Sequence, residues 1–395
     1  MGIVSRSGVR NRRPTDDHQV MRSAADAGAT WTDGGRTPSR PGIGTTALVF
    51  IAITAMLGLV GLSAAEGLLA WDVRFAYLPA AEAVLHGDTP YPALDDPILD
   101  EQKGYVYPPQ LLFVLMPLTP LPVPLAAALV AAGMLALLGA TLWILGVRDV
   151  RCYAATLLWV PAISGVLLGN VSIPLAFALA VVWRYRDAVW PPAIALGLSV
   201  SAKLLFWPMF VWMVATRRLR AAVLSVAIGV AVGLAAWAVI GFAGLAEYPD
   251  LLRRLSDIQA ERSYSFVGIA ENLGLGGVVG QVFTIGVGVA LLVLCVLHAR
   301  RADDARSFTC AVAATLALSP IVWLHYLVLL LVPLAILRPR FSLLWLLPVL
   351  LWVSPRPGYA EGYETFMPGL VVLILVAVLL LRPRRDRGVA AAATA

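Results

Sequence analysis

Asp72, at the edge of a long apolar run, is the residue of this sequence best placed to act as a base. It lies in Trp71-Asp72-Val73-Arg74-Phe75-Ala76-Tyr77, shortly after the first long apolar segment. An acidic, proline-bearing stretch follows it and ends at Tyr107-Pro108-Pro109. A carboxylate held at a bilayer surface can take a proton from a hydroxyl group. We therefore predict that Asp72 is a general base.

Lys203 and His325 are isolated polar residues in otherwise apolar segments. Lys203, one of only two lysines, either extends to the membrane interface as a structural residue or supplies a point charge that binds phosphate. His325 follows Trp323-Leu324 and is either a satisfied core residue or a hydrogen-bond donor to a departing phosphate. The residue types alone leave both alternatives open.

Asn170 and Tyr107 occupy turns that have both structural and functional interpretations. Gly169-Asn170 is typical of a helix C-cap, and Asn170-Val171-Ser172 also fits a glycosylation pattern that is common by chance. Tyr107 precedes two prolines that suit the start of a helix. Its side chain can belong to an interfacial aromatic belt or line a sugar pocket.

The motifs of soluble nucleotide-dependent and metal-dependent enzymes are absent from the sequence. There is no Walker loop, dinucleotide fingerprint, nucleophile elbow or zincin motif, and no paired His or Cys spacing for a metal. We expect no metal and no cofactor. No long polar segment could form a nucleotide-binding domain, so an activated substrate would come from the lipid phase, where a polyprenyl phosphate fits best.

The composition predicts an all-α, polytopic membrane protein. Hydrophobic residues make up 59% of the chain and charged residues 14%, against about a quarter charged in an average soluble domain. The apolar residues form long runs without the alternation of a barrel. The net charge of +6 resides in short turns and tails, as the positive-inside rule describes, and indicates no nucleic-acid partner.

The positions of the basic residues predict about 12 transmembrane helices with short cytoplasmic turns. The first span is expected from Thr46 to about Leu62, after a disordered cytoplasmic tail at 1–42 and before a membrane region that extends over 43–385. Residues 386–395 are expected to form a second cytoplasmic tail. The clusters expected to be cytoplasmic are Arg148/Arg151, Arg184/Arg186, Arg217-Arg218-Leu219-Arg220, Arg300-Arg301, Arg338/Arg340 and Arg382 to Arg387.

The same assignment places the turns without arginine clusters on the external side. The loop 66–108 carries eight acidic residues, and its segment 72–86 is expected to be an interfacial amphipathic helix that places Phe75, Leu78 and Leu85 on its apolar face. Short runs such as 171–183 and 341–353 need tilting, thinning or burial in the bundle. Asp72, Asn170, Lys203 and His325 then share one external face, which predicts a single site.

An ordered set of short elements resembles glycosyltransferase family 87, the polyprenol-phosphate-mannose-dependent enzymes of the GT-C type. The resemblance covers about 46–385. Its elements, in chain order, are Asp72 and Tyr77, Gly87-Asp88-Thr89-Pro90-Tyr91, Tyr107-Pro108-Pro109, Gly169-Asn170, Lys203 to Arg220, and Ser319-Pro320 with Trp323-Leu324-His325.

The resemblance implies an α-mannosyltransferase of the cell membrane whose site faces the periplasmic or extracellular side. A polyprenyl-phosphate mannose would be the donor, and a cell-envelope glycolipid or lipoglycan the acceptor. Asp72 and His325 would be catalytic, and the donor phosphate would leave with inversion. The residues expected to bind substrate are Lys203, Arg74, Tyr77, Tyr107, Asn170 and Trp323.

Two alternative functions stay open. The loop around Arg262-Ser263-Tyr264-Ser265 lacks the Asn-x-Ser element common in such enzymes, which leaves arabinofuranosyl transfer by the same fold possible. A lipid or solute transporter is the rival from another class. The sequence has no clear internal repeat of the kind found in many transporters, which favours the enzyme.

Overall fold

The computed structural model of the chain describes residues 42–260, 262–353 and 366–381, and these residues form helices joined by turns, without a strand. Nearly all of the two predicted tails and of the loop 354–366 lies outside the described residues. The α-helices are Ile43–Ala65, Leu78–His86, Gln110–Leu115, Val123–Ile144, Val150–Leu157, Val160–Leu168, Ser172–Arg184, Trp190–Ala202, Pro208–Ala215, Leu219–Val239, Tyr248–Gln259, Phe266–Asn272, Gly277–Arg300, Asp304–Ala317, Leu331–Leu337 and Phe366–Leu381.

Shorter helical segments connect several of these helices. A π-helical turn, Val73–Tyr77, leads into Leu78–His86. The 3₁₀ segments are Pro97–Leu99, Met116–Leu118, Leu204–Phe206, Leu324–Leu330 and Leu343–Val353.

Four of the described helices are long and apolar enough to cross a membrane. The count rises to five if Val150–Leu157 and Val160–Leu168, which meet at an angle of 64°, form one broken span. The first span, predicted at Thr46 to about Leu62, is slightly longer and runs Ile43–Ala65. The all-α fold of a membrane protein is therefore confirmed, whereas the count of about 12 crossings stays a prediction. The four long helices are Ile43–Ala65, Val123–Ile144, Leu219–Val239 and Gly277–Arg300.

The short helices, rather than the long ones, form most of the core. In Ile43–Ala65 and Gly277–Arg300 only 11% of the most apolar window is buried. By contrast, every residue from Leu324 to Leu330 is buried, as are eleven residues of Asp304–Ala317. The predicted short run 171–183 corresponds to Ser172–Arg184, whose seven buried residues show burial inside the bundle. Shortness thus accompanies protein packing, because a buried helix does not have to match the bilayer thickness.

The predicted amphipathic segment 72–86 is helical, and the face that it buries in the protein contains neither Phe75 nor Leu85. Val73, Ala76 and Tyr77 are buried in the π-helical turn, whereas Leu85 is 57% exposed and Phe75 only half-buried. The wider π turn changes the angle between successive side chains relative to an α-helix. The protein leaves Leu85 exposed and Phe75 partly exposed, so an interfacial helix with these residues on its apolar face stays a prediction.

Two glycines bring the helices Trp190–Ala202 and Leu219–Val239 into close contact. A Cβ atom on Gly197 would lie 2.8 Å from the Ser225 carbonyl oxygen, and one on Gly229 would lie 3.1 Å from the Gly197 carbonyl oxygen. Small residues at such crossings let helix backbones approach closely in membranes. This contact fixes the helix that ends at Lys203.

Asp304 joins three of the turns that carry basic residues. Its carboxylate accepts hydrogen bonds from Arg186 at 3.1 Å, from Arg218 at 2.8 Å and from the Trp212 indole at 2.9 Å. Arg218 also pairs with Asp187 at 3.0 Å. The predicted grouping of these turns at one end of the bundle is therefore present in the fold.

Candidate functional site

The π-helical turn aligns Asp72 with Tyr77. The Leu78 amide donates to the Val73 carbonyl five residues earlier, so residues five apart lie on one face. The Tyr77 hydroxyl consequently donates to Asp72 Oδ2 at 3.3 Å. Such single π turns occur frequently at functional sites.

Asn170 donates the second hydrogen bond to the same carboxylate oxygen. Its Nδ2 lies 2.5 Å from Asp72 Oδ2. Its Oδ1 accepts from the Ser172 backbone amide at 3.0 Å and from the Ser172 hydroxyl at 2.8 Å. A backbone N–H can only donate, so this bond fixes the amide orientation and directs the NH₂ group at Asp72. Asn170 is thus both part of a helix-ending turn and a partner of the carboxylate.

A glycine allows the Asp72 segment to approach this turn. Gly169 ends the helix Val160–Leu168 with a φ of 65°, in the left-handed region. A Cβ atom there would lie 2.8 Å from Val73 Cγ2 and 3.1 Å from the Ala70 Cβ. The Ala70 amide also donates to the Leu167 carbonyl at 2.7 Å. Only glycine satisfies both the backbone angle and the close contact.

Tyr107 connects the carboxylate with the cationic part of the site. Its hydroxyl accepts from Asn170 Nδ2 at 3.4 Å, and its ring packs edge-on to Tyr77 with 5.6 Å between centroids. The same ring lies 5.4 Å from the ammonium nitrogen of Lys203. Burial, together with the smaller effect of the neighbouring Asp72 charge, raises the pKa of Tyr107 to about 12, so its hydroxyl stays protonated.

Lys203 has a buried amino group without a hydrogen-bonded anionic partner in the described part of the chain, and burial lowers its pKa to about 7. It caps the helix Trp190–Ala202 in an extended conformation, so its side chain leaves the helix end. Nζ is buried and forms no hydrogen bond within the described residues. It lies 3.5 Å from the centroid of the Tyr326 ring, a cation–π contact that stabilises the charge only in part. An anion that binds next to a buried, unpaired cation gains a strong electrostatic interaction, because the cation has no competing partner.

His325 lies next to this cation. It belongs to the fully buried segment Leu324–Leu330, and its ring lies 5.0 Å from that of Tyr326. Its Nε2 is buried and has no hydrogen-bond partner among the described residues. His325 is therefore a core residue whose Nε2 atom is not satisfied by the part of the protein that the structure describes.

Arg74 and Trp323, two of the predicted substrate-binding residues, lie outside this hydrogen-bonded group. The Arg74 guanidinium is 5.6 Å from the Phe75 ring and lies beside Gly67. Trp323 is half-buried, and its carbonyl accepts from the Tyr326 amide at 2.9 Å. Their side chains make no hydrogen bond to the other predicted site residues within the described part of the chain.

Burial is the main influence on the protonation of Asp72. It raises the pKa of this carboxyl group from 3.8 to about 6, because removal of water disfavours the charged form. The hydrogen bonds from Asn170 and Tyr77 and the charge of Lys203 act in the opposite direction and are smaller. Asp72 is therefore ionised at neutral pH yet is a stronger base than an exposed aspartate.

Sequence reasoning missed three polar residues of this region. Ser172 orients Asn170, and its signal was the Asn-Val-Ser pattern that fits glycosylation. The ring of Tyr326 makes the cation–π contact with the Lys203 ammonium nitrogen. Gln110 donates from Nε2 to the Ser201 carbonyl, whereas its buried Oε1 has no partner among the described residues. No cluster of three His, Cys, Asp or Glu residues that could hold a metal occurs in the described ranges.

Comparison with known proteins identifies the family. The family model described as Glycosyltransferase family 87 matches residues 105–322, more than half of the chain. This range contains Tyr107, Asn170 and Lys203, while Asp72 precedes it and His325 follows it. No curated protein and no solved structure matches the chain. The chain therefore belongs to glycosyltransferase family 87 and is a membrane glycosyltransferase.

Proposed function

We propose that this protein is an inverting α-mannosyltransferase that moves mannose from a polyprenyl-phosphate donor to a cell-envelope glycolipid or lipoglycan. The observation that supports it best is the pairing of a base with a separate cation. Asp72 accepts hydrogen bonds only at Oδ2 within the described residues, which leaves Oδ1 for a substrate proton. Lys203 supplies a buried charge that no carboxylate neutralises in the same ranges.

The chemistry follows from these two groups. The acceptor hydroxyl oxygen attacks the anomeric carbon while Asp72 takes its proton. The bond between that carbon and the phosphate oxygen breaks on the opposite face, and its electron pair leaves with the polyprenyl phosphate. A phosphate monoester is a stable anion, so the leaving group needs electrostatic stabilisation rather than a proton.

Lys203 and His325 are the proposed partners of the leaving phosphate. The ammonium of Lys203 and a ring N–H of His325 supply donors in a buried region, where charge interactions are stronger than in water. Tyr77, Tyr107 and Asn170 orient the base.

Arg74 and Trp323 lie outside the hydrogen-bonded group around Asp72 and are proposed to contact other parts of the substrate. The lipid nature of the donor accounts for a site built from membrane helices without a nucleotide-binding domain. Mannose is the proposed sugar, and a donor carrying arabinofuranose is the natural comparison in every assay.

Replacement of the base should strongly lower turnover while leaving the fold intact. We expect Asp72→Asn to lower turnover by about 10²–10⁴-fold, because the amide keeps the hydrogen-bonding shape but cannot accept a proton. The assay follows transfer of labelled sugar from purified donor to acceptor lipid. Asp95→Asn, an exposed carboxylate of the same loop, is the matched control and should retain full activity. A folded Asp72→Asn enzyme with more than about a tenth of wild-type turnover contradicts the assignment.

The raised pKa of Asp72 predicts the acid limb of the pH profile. A base works when deprotonated, so activity should rise as the pH increases through about 6. Burial lowers the pKa of Lys203 to about 7, so activity should fall again above that value as the proposed phosphate-binding charge is lost. Below about pH 6 the rate should fall about tenfold for each pH unit, as the ionised fraction of Asp72 does. The profile of kcat/KM for the donor in detergent-solubilised enzyme measures this. An acid limb centred near pH 4 would show that the titrating group is not this buried carboxyl.

Removal of the buried cation should weaken donor binding as well as slow the reaction. Lys203→Met loses a charge-assisted contact worth roughly 1.5–3 kcal/mol, which corresponds to about a tenfold to hundredfold higher donor KM. Lys103→Met, the second lysine, removes a half-exposed charge paired with Glu101 and should change donor KM little. Donor titrations at saturating acceptor distinguish the two. Equal donor KM values for both variants would assign the phosphate to other residues.

The proposed external site can be tested by thiol labelling on intact cells. In a background lacking Cys152, Cys295 and Cys310, Asp95→Cys should react with an impermeant reagent, and Arg184→Cys should react only after lysis. Asp95 belongs to the acidic loop, and Arg184 to a basic turn. The reverse pattern would place the acidic loop and its catalytic aspartate in the cytoplasm.

A further inference from the structure

Three tyrosine hydroxyls bind three successive carbonyls of the loop that presents Tyr107. Tyr248 donates to the Val106 carbonyl at 3.0 Å, and Tyr91 donates to the Tyr107 carbonyl at 3.1 Å. Tyr105 donates to the Pro108 carbonyl at 2.6 Å. The donors come from positions 91, 105 and 248, so two distant parts of the chain converge on one turn. We name Tyr91, Tyr105 and Tyr248 the tyrosine clamp.

The loop needs such donors because its own sequence cannot supply a regular hydrogen-bond pattern. Pro108 and Pro109 have no backbone N–H, so neither can join a ladder or a helix interior. Buried carbonyls still require partners. The tyrosine hydroxyls satisfy three carbonyls in a row and thereby fix the peptide planes on both sides of Tyr107.

Each clamp ring is itself held in place. Tyr91 stacks on Trp237 with 5.4 Å between centroids, and a Cβ atom on Gly244 would lie 2.8 Å from its ring. Tyr248 packs edge-on to both Tyr91 and Trp237 at 5.5 Å. Tyr105 is 2% exposed and contacts the Tyr107 ring at 6.2 Å. The hydroxyls therefore have little freedom to leave the loop.

Tyr107 in turn touches the groups proposed to do chemistry. Its hydroxyl accepts from the same Asn170 NH₂ group that binds Asp72, and its ring faces Lys203. The 3.4 Å bond to Asn170 is long, so a small displacement of the loop would break it. A misplacement of about 1 Å at a distance from the reacting atoms can lower a rate by about 10²-fold.

We propose that the tyrosine clamp is a set of positioning residues that hold the Tyr107 hydroxyl against Asn170 and so fix the orientation of Asp72. Its effect on rate rests on the proposed glycosyl transfer, whereas its effect on the Tyr107 ring does not. In this role the clamp residues need no contact with the substrate. Their hydroxyls act through the loop backbone, and their rings only hold those hydroxyls in place.

The first test measures the position of Tyr107 without any reaction. 3-Fluorotyrosine is incorporated at position 107 of the full-length protein in detergent, and its ¹⁹F resonance is recorded. Tyr91→Phe and Tyr248→Phe each delete one clamp hydroxyl and keep the ring, so we expect a shifted or split resonance in both. Tyr153→Phe is the matched control, because Tyr153 also donates to a backbone carbonyl, that of Val147 at 2.9 Å, at a different part of the fold. Its resonance should equal that of the wild type.

The second test asks whether the clamp acts through the Tyr107 hydroxyl. We expect Tyr91→Phe and Tyr248→Phe to lower kcat on the order of tenfold to a hundredfold, with Tyr153→Phe unchanged. In the Tyr107→Phe background, the further change Tyr91→Phe should lower kcat by at most about twofold, because the Tyr107 hydroxyl through which the clamp acts is already absent. The kcat values are compared only for variants whose unfolding temperature equals that of Tyr153→Phe.

The outcomes separate the two proposals. An unchanged fluorine resonance in both clamp variants overturns the clamp, whatever the activity. A changed resonance with losses in kcat that multiply fully in the Tyr107→Phe background also overturns it, because the clamp would then act by another route. A changed resonance in a protein that transfers no sugar from any polyprenyl-phosphate donor supports the clamp and refutes the proposed function.

Discussion

The fold is constrained by a carboxylate and an ammonium group that are buried near each other without forming a salt bridge. Lys203 influences Asp72 electrostatically, yet its Nζ has no hydrogen-bond partner among the described residues. Leaving a buried charge unpaired is costly, so the surrounding structure must hold it there. The Tyr326 ring lies against the ammonium, and Asn170 and Tyr77 occupy one oxygen of Asp72. Because the two groups form no salt bridge with each other, both remain available to interact with a substrate.

The non-helical turns of the site are possible because buried helices, and not lipid, surround them. The long helices, such as Gly277–Arg300, have mostly exposed apolar surfaces, whereas Leu324–Leu330 is buried throughout. Non-helical backbone in a membrane protein is tolerated where protein surrounds it. The turn at Gly169-Asn170 and the break at Lys203 both meet that condition through close contacts of Gly169 and Gly197. Small residues thus create the space in which polar side chains converge.

The cluster around Asp304 and the candidate site differ in how far their polar groups are paired within the protein. Asp304 is saturated, since two arginines and one indole bind its carboxylate. Such a cluster joins turns and leaves no charge available for a ligand. At the candidate site the polar atoms are incompletely satisfied, with Lys203 Nζ, His325 Nε2 and Gln110 Oε1 unpartnered in the described ranges. This contrast, rather than the presence of charge, distinguishes a structural cluster from a candidate site.

The sequence by itself determined the class of fold and singled out polar residues that are candidates for chemistry. Long apolar runs require helices in a bilayer, because backbone groups must be satisfied internally, and a helix satisfies them without any tertiary contact. Asp72, Asn170 and Lys203 stood out because ionisable or amide groups are rare in such runs. Only the tertiary structure decided how they meet. The bond from Asn170 to Asp72 and the bond from Tyr248 to the Val106 carbonyl join segments that lie far apart in the sequence. Residue type and local spacing do not encode such contacts, since they are settled by which side chains can pack together.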